Sequence, residues 1–153
     1  MKNKVIYFVL MLVLTACSKG ENQDENFIIF GHSYGECIGP DCVKVFKLTD
    51  TSLYFDIYAN ERKQGKKKYV ELANSEFLKA RELSDLFPSE LLTMRDTTFG
   101  CPDCRDQGAL ILRYSTDKKT LNFLIDQDQN EIPAFLHKYV DKVNQVISMI
   151  KVK

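Results

Sequence analysis

Four of the five cysteines stand in two short-spaced pairs, Cys37 with Cys42 (C-x4-C) and Cys101 with Cys104 (C-x2-C), both among turn-forming residues. Thiols at these spacings support three chemistries. In an oxidising compartment they join as disulfides, and four cysteines leave three pairings open. A bond between the clusters would restrict the unfolded chain by about 4 kcal/mol and a short local loop by about 2 kcal/mol, but local closure is kinetically easier. Kept reduced and brought together, the four thiolates would form the tetrahedral set that suits Zn²⁺ or another soft metal. Taken alone, Cys101-Pro102-Asp103-Cys104 has the spacing of a reversible redox disulfide. A redox pair of that kind ordinarily opens a helix whose N-terminus lowers the first thiol's pKa, and here Gly108 and a strand pattern follow instead.

Several polar residues lie close to these pairs. His32, five residues before Cys37, could complete a metal site, although a turn histidine bonded to a backbone group is the plainer reading. Asp103, Asp106 and Gln107 crowd around Cys104 and could supply oxygen ligands or a binding rim, although aspartates in such loops usually bond their own turn. His137 falls on the polar face of the last helical segment, one turn before Asp141, and reads as solvated.

The N-terminus speaks to which compartment applies. Lys2 and Lys4 precede the uncharged run Val5 to Val13, and Leu14-Thr15-Ala16-Cys17 follows at once. This is the charged, apolar, small-residue order of a secretory signal. The run is shorter than the roughly 20 apolar residues a spanning helix needs, so the segment reads as removed and not retained. Leu14-Thr15-Ala16-Cys17 resembles the lipobox of bacterial lipoproteins. That resemblance implies thioether attachment of a diacylglycerol to Cys17, cleavage before it and acylation of its new amino group. Each buried methylene contributes about 0.8 kcal/mol, so several acyl chains together make release from a membrane negligible. Residues 1–16 are therefore expected to be a signal peptide. Residues 17–26, with Lys19 against Glu21, Asp24 and Glu25 and no large apolar side chain after Cys17, are expected to be a solvated tether. By analogy with lipoprotein sorting, Ser18 favours an outer-membrane destination.

Removing residues 1–16 from the 153 leaves 137, enough for one domain with a real core, expected over residues 27–153. The loss of two lysines leaves 19 basic and 21 acidic side chains, and nothing in that balance argues for a nucleic-acid partner. The one dense basic run, Arg62-Lys63-Gln64-Gly65-Lys66-Lys67-Lys68, lies between two strand-like segments. It reads as a solvated hairpin loop, with contact to anionic lipid head groups as the sharper alternative.

The elements that must position these residues follow from periodicity. Phe27 to Phe30 and Cys42 to Thr49 are rich in aromatic and β-branched residues, while Leu53, Phe55 and Ile57 alternate with Tyr54, Asp56 and Tyr58. Asp50-Thr51 can turn the chain between the latter two, and Lys68 to Ala73 adds a further strand with Val70 and Leu72 on one side. A helix capped by Asn74 or Ser75 carries Phe77, Ala80, Leu83 and Leu86 at helical spacing until Pro88 breaks or restarts it. Ala109 to Ser115 and Thr120 to Ile125 form a second hairpin across Thr116 to Lys119. The last helix carries a broad apolar stripe from Ile132 through Leu136, Tyr139, Val140, Val143, Val146 and Ile147 to Ile150, with Pro133 in its first turn. The expectation is an α+β domain: an antiparallel sheet of hairpins with two main helices mainly on one face, in the order strands, helix, strands, C-terminal helix. An internal echo, Phe30-Gly31 before a cluster ending Pro40-Asp41-Cys42 and Phe99-Gly100 before Cys101-Pro102-Asp103-Cys104, raises ancient duplication as an explanation.

The segment from Phe30 through Gly35-Glu36-Cys37 to Cys42, the segment Phe99 to Gly108 and the stretch Ile132-Pro133-Ala134-Phe135-Leu136-His137 together resemble a set of small, uncharacterised bacterial lipoproteins. The resemblance implies a shared fold and an envelope location, and it brings no established activity. No nucleophile elbow, phosphate-binding glycine loop or zinc-protease histidine pair occurs in the sequence. The expected function is thus a non-enzymatic binding or accessory domain in the cell envelope, held to the membrane by lipid and facing an envelope protein or a small ligand without a cofactor. The alternative is a metal-binding or thiol-redox protein using Cys37, Cys42, Cys101 and Cys104.

Overall fold

The structure is a computed structural model that describes residues 26–39, 41–59 and 67–152. The signal segment, Cys17 and nearly all of the tether lie outside the described residues, as do Pro40 and most of the basic run, Arg62 to Lys66.

The fold is α+β. Strands β1 (Phe27–Ser33), β2 (Val43–Thr49), β3 (Leu53–Asp56) and β4 (Tyr69–Glu71) come first, followed by helices α1 (Asn74–Ala80) and α2 (Glu82–Asp85). Strands β5 (Thr97–Phe99), β6 (Ala109–Ser115) and β7 (Thr120–Asp126) then lead to helix α3 (Ala134–Met149). The strands form one sheet in the order β4-β3-β2-β1-β6-β7-β5. Chain neighbours pair antiparallel as the hairpin pattern predicts: the turn after β2 is closed by Thr49 N–H to the Ser52 carbonyl at 2.9 Å, and that after β6 by Thr116 N–H to the Lys119 carbonyl at 2.9 Å. Two features lie beyond that pattern. Strand β1 joins the two hairpin groups by pairing with β6 along its whole length, Phe27 opposite Ser115 to Ser33 opposite Ala109. Strand β5 runs parallel to β7 at the edge, so the sheet is mixed and not wholly antiparallel. Three residues are too few to display a strand period, which is why Thr97-Thr98-Phe99 carries no strand signal in the sequence.

Alternation along the strands sends one set of side chains into the core. Ile28, Phe30, Phe46, Leu48, Leu53, Leu110, Leu112, Leu121, Phe123 and Ile125 form a single cluster with Ala80, Leu83 and the stripe of α3. The stripe on α3 is as its period predicts, with Leu136, Tyr139, Val140, Val143, Val146 and Ile147 buried. Pro133 stands immediately before the helix, whose length of about 24 Å is enough to cover the middle of the sheet. The first helical segment bends at Arg81 instead of running straight through, yet Ala80 and Leu83 both reach the core. Neither Asn74 nor Ser75 caps it: Asn74 is already helical, and Ala73 precedes it without a side-chain bond. Beyond Pro88 a 3₁₀ turn, Ser89–Thr93, places Leu91 in the core. Helix α1 also holds the end of α3, because Glu76 accepts the Lys151 N–H at 2.9 Å and pairs with Lys79, whose ammonium donates to the Met149 carbonyl at 3.0 Å.

The halves suggested by the internal echo are not equivalent in the fold. Phe30 and Gly31 lie in the middle of β1, a central strand, whereas Phe99 ends the parallel edge strand β5. The first cysteine pair lies in a connection between paired neighbours, and the second in one that passes from the edge over β7 to β6.

Candidate functional site

The cysteines close locally. Cys37 bonds to Cys42 and Cys101 to Cys104, so of the three pairings the structure has the one without a link between clusters. The two loops nevertheless meet, because β1 ends and β6 begins at the same end of the sheet, where Ser33 lies opposite Ala109. Asp103 makes the junction: its Oδ2 accepts the Gly35 N–H of the first loop at 2.6 Å and its Oδ1 accepts the Gly108 N–H at 3.0 Å. Asp103 holds a left-handed backbone conformation, φ 62°, which aspartate tolerates better than most residues. Gly108 is left-handed as well, φ 80°, and the Tyr34 ring occupies the space that a side chain there would need.

The base of the second loop rests on Asp126, which is wholly buried at the end of β7. Its carboxylate accepts N–H bonds from Cys101 at 2.9 Å, Asp128 at 2.8 Å and the Gln107 side chain at 2.9 Å. Burial alone would raise its pKa, but these donors, helped by the Arg105 charge, hold it below the usual carboxylate value. Gly100, φ 71°, lets the backbone pass directly over Asp126, and a Cβ there would lie 2.6 Å from the Asp126 Cβ. Asp126 and Gln107 thus fix Cys101 and, through it, the loop.

The remaining polar candidates have structural roles. His32 lies within β1 and not in a turn, beside the Tyr34 ring at 5.0 Å between centroids. Burial and the neighbouring Lys44 charge lower its pKa, with Asp41 opposing them. His137 is not freely solvated: its Nε2 lies 3.1 Å from the Ile132 carbonyl, and Asp141 accepts a bond from Gln129 instead of acting with it. Asp106, exposed and left-handed at φ 60°, follows the Cys104 turn without a ligand-like arrangement around it. As disulfides the four sulfurs offer no thiolate, and among the described residues no three His, Cys, Asp or Glu side chains converge as a metal site.

A second concavity is absent from any sequence motif. On the face of the sheet away from the helices lies a groove of about 930 Å³. Ile29, Val43, Val45, Ile111 and Leu124 form its floor, while Asp56, Lys67, Tyr69, Asp96, Arg113 and Asn122 stand around it. In a flat sheet Arg113 on β6 would lie four strand spacings, about 19 Å, from Tyr69 on β4. Yet Tyr69 and Lys67 line one groove with Arg113, so the β4 end of the sheet comes round over the open face towards β6. Further along this face the Lys47 ammonium sits over the Phe27 ring at 4.7 Å and the Tyr54 ring at 5.9 Å.

The electrostatics of the groove are uneven. The Tyr69 hydroxyl is buried without a hydrogen-bond partner among the described residues, a state that costs about 1–3 kcal/mol. Burial, reinforced by the Asp56 charge, pushes its pKa up to about 12. Lys67 is held below its usual value by burial first and by Arg113 second. Arg113 donates through Nε to the Asn122 side chain. The carboxylates are committed elsewhere: Asp56 Oδ1 accepts the Tyr58 and Lys68 N–H groups, each at 3.1 Å, and Asp96 spends both oxygens on Asn122, at 2.8 Å and 3.0 Å.

The chain matches no protein-family model and no curated protein. Among the described residues no helix is long and apolar enough to cross a membrane. The groove residues escaped the motif reading, but a signal for them existed. A sheet covered by helices on one face ordinarily alternates apolar with polar residues. Ile29, Val45, Ile111 and Leu124 are apolar at the positions that alternation assigns to water.

Proposed function

We propose that the protein is a lipid-anchored cell-envelope domain that binds a ligand in the groove on its open sheet face and carries out no chemistry on it. The observation that carries the binding reading is the groove itself: an apolar floor on the uncovered face, bordered by a buried tyrosine hydroxyl with no partner among the described residues. A volume of about 930 Å³ is within the range of small-molecule sites, which are mostly apolar with a few placed polar groups. The loops at the end of the sheet, stapled by two disulfides and joined by Asp103, give the domain a rigid rim. The anchor rests on the signal-like N-terminus and the lipobox-like Leu14-Thr15-Ala16-Cys17, and Ser18 supports the outer membrane as its place. The resemblance to small envelope lipoproteins agrees with this location.

Membrane fractionation of wild-type and Cys17→Ser protein tests the anchor. The wild type is expected in the membrane fraction with an acylated N-terminal cysteine by mass, and the variant without acyl mass and with residues 1–16 retained. A wild type that is soluble and unmodified would refute it. A second reading, thiol–disulfide exchange at Cys101 and Cys104, is favoured by one observation, the exposure of both residues at the surface, whereas Cys42 is buried. In that reaction a partner dithiol becomes a disulfide as Cys101 and Cys104 take up its two protons and electrons. Against it stands the turn that follows Cys101, leading into a strand and not a helix, which leaves the first sulfur without a helix N-terminus to stabilise its thiolate.

A further inference from the structure

We propose that the groove takes a small amphipathic anion: its apolar body lies along Ile29, Val45, Ile111 and Leu124, and its carboxylate, sulfonate or phosphate group sits between Arg113, Lys67 and the Tyr69 hydroxyl. This rests on the reading of the groove as a ligand site and adds the class of ligand.

Three observations converge on it. The floor is apolar on a face that no helix among the described residues covers, so a ligand must bring apolar surface to gain from it. The polar groups at the β4 and β6 side are donors awaiting an acceptor. Among the described residues the Tyr69 hydroxyl has no partner, Lys67 has no hydrogen bond or ion pair, and the Arg113 guanidinium is bonded only through Nε. Arg113 and Lys67 repel one another; the Asp56 charge opposes this in part at Lys67, and negative charge placed between the two cations would relieve it further. The two nearby carboxylates do not provide it by an ion pair. Asp56 is engaged with backbone N–H groups, and Asp96 is held by Asn122. An uncharged apolar ligand would leave the Tyr69 hydroxyl unmatched and bring no acceptor to the half-buried Arg113 or the exposed Lys67, and a cation would add to the repulsion. An anion with an apolar body satisfies both halves of the groove.

The test uses two probes with the same fused-ring skeleton, the anionic 1-anilinonaphthalene-8-sulfonate and the neutral N-phenyl-1-naphthylamine. They are titrated against the full-length chain carrying Cys17→Ser, so that neither acyl chains nor detergent compete. The expected result is binding of the anionic probe at least about tenfold tighter than the neutral one, the gain typical of a charge-assisted bond. Arg113→Gln and Lys67→Gln should each lower the anionic affinity towards the neutral level, Tyr69→Phe should lower it several-fold, and Leu124→Arg should weaken both probes. Equal affinity for the two probes, both sensitive to Leu124→Arg, would overturn the anion inference and leave the groove as a binding site. Binding of neither probe, or binding of both that ignores Leu124→Arg, would overturn the groove reading as well. The two-probe comparison on the unaltered groove decides the matter even where a variant fails to fold.

Discussion

The helix-covered face of the sheet and its open face are made by alternate residues of the same strands, and they are finished in opposite ways. On the covered face Phe30, Phe46, Leu53, Leu110 and Leu112 are buried against α2 and α3, and the one tyrosine hydroxyl deep in that layer, on Tyr139, donates to the Leu83 carbonyl at 3.3 Å. On the open face Ile29, Val45 and Ile111 form an apolar floor under a tyrosine hydroxyl with no partner and two cations without ion pairs among the described residues. The first arrangement is what a chain does when stability is the only demand. The second leaves polar groups unsatisfied at a cost in stability, and the physical reason to tolerate that cost is an external molecule that completes the set. Burial alone does not mark the proposed site, which lies where burial and hydrogen bonding disagree.

The contrast can be broken at its strongest point first. Phe46, wholly buried, stacked on Phe30 and tilted against Phe55, each at 5.4 Å between centroids, should lose about 3–5 kcal/mol on conversion to alanine, read by denaturant unfolding. Asp126→Asn comes next. It removes the charge that accepts three N–H bonds beneath the Cys101 loop and should destabilise by about 2–3 kcal/mol at neutral pH. Because the folded-state pKa of Asp126 is depressed, its contribution is fully present above the unfolded value of about 3.9 and is lost as pH falls through the folded one. The difference between wild type and variant should therefore shrink in acid, and a constant difference would show that the charge is not what matters.

Smaller effects separate the loops and the groove from the core. Replacing either cysteine pair by serines should lower stability by about 2 kcal/mol, the value for a short closed loop, with the fold retained in circular dichroism. Tyr69→Phe should do the reverse and raise stability by about 1 kcal/mol, since it removes a buried hydroxyl without a partner among the described residues, while weakening the anionic probe. A loss of stability at that position would mean that the hydroxyl has a partner in solution. The smallest expected change is at His32. Its lowered folded-state pKa favours the neutral ring, so its contribution is present above the unfolded value of about 6.5 and declines as pH falls below it. His32→Gln should flatten stability over that range.

Much of this architecture is legible in the chain because it is written in local periods. The stripe from Leu136 to Ile147, the alternation of Leu121, Phe123 and Ile125 and the turn at Thr116 to Lys119 all follow from the geometry of a helix, a strand and a hairpin, each needing only neighbours in sequence. The cysteine spacings likewise point to disulfides, and the N-terminal pattern gives an expectation of export. What period does not carry is which distant segments become neighbours. The parallel placement of β5, the meeting of the two cysteine loops through Asp103 and the burial of Asp126 beneath Cys101 each depend on contacts between residues tens of positions apart. The groove is the clearest case. Tyr69, Lys67 and Arg113 share no motif, and they act on one another only because β1 pairs with both β2 and β6 and the resulting sheet brings its ends round over one face. Sequence by itself determined the elements, their apolar faces and the expectation of an anchored, exported domain, since those depend on residue type and local spacing. Only the tertiary structure decided which face stays uncovered and which polar groups remain without partners there, because both are properties of the whole packed chain.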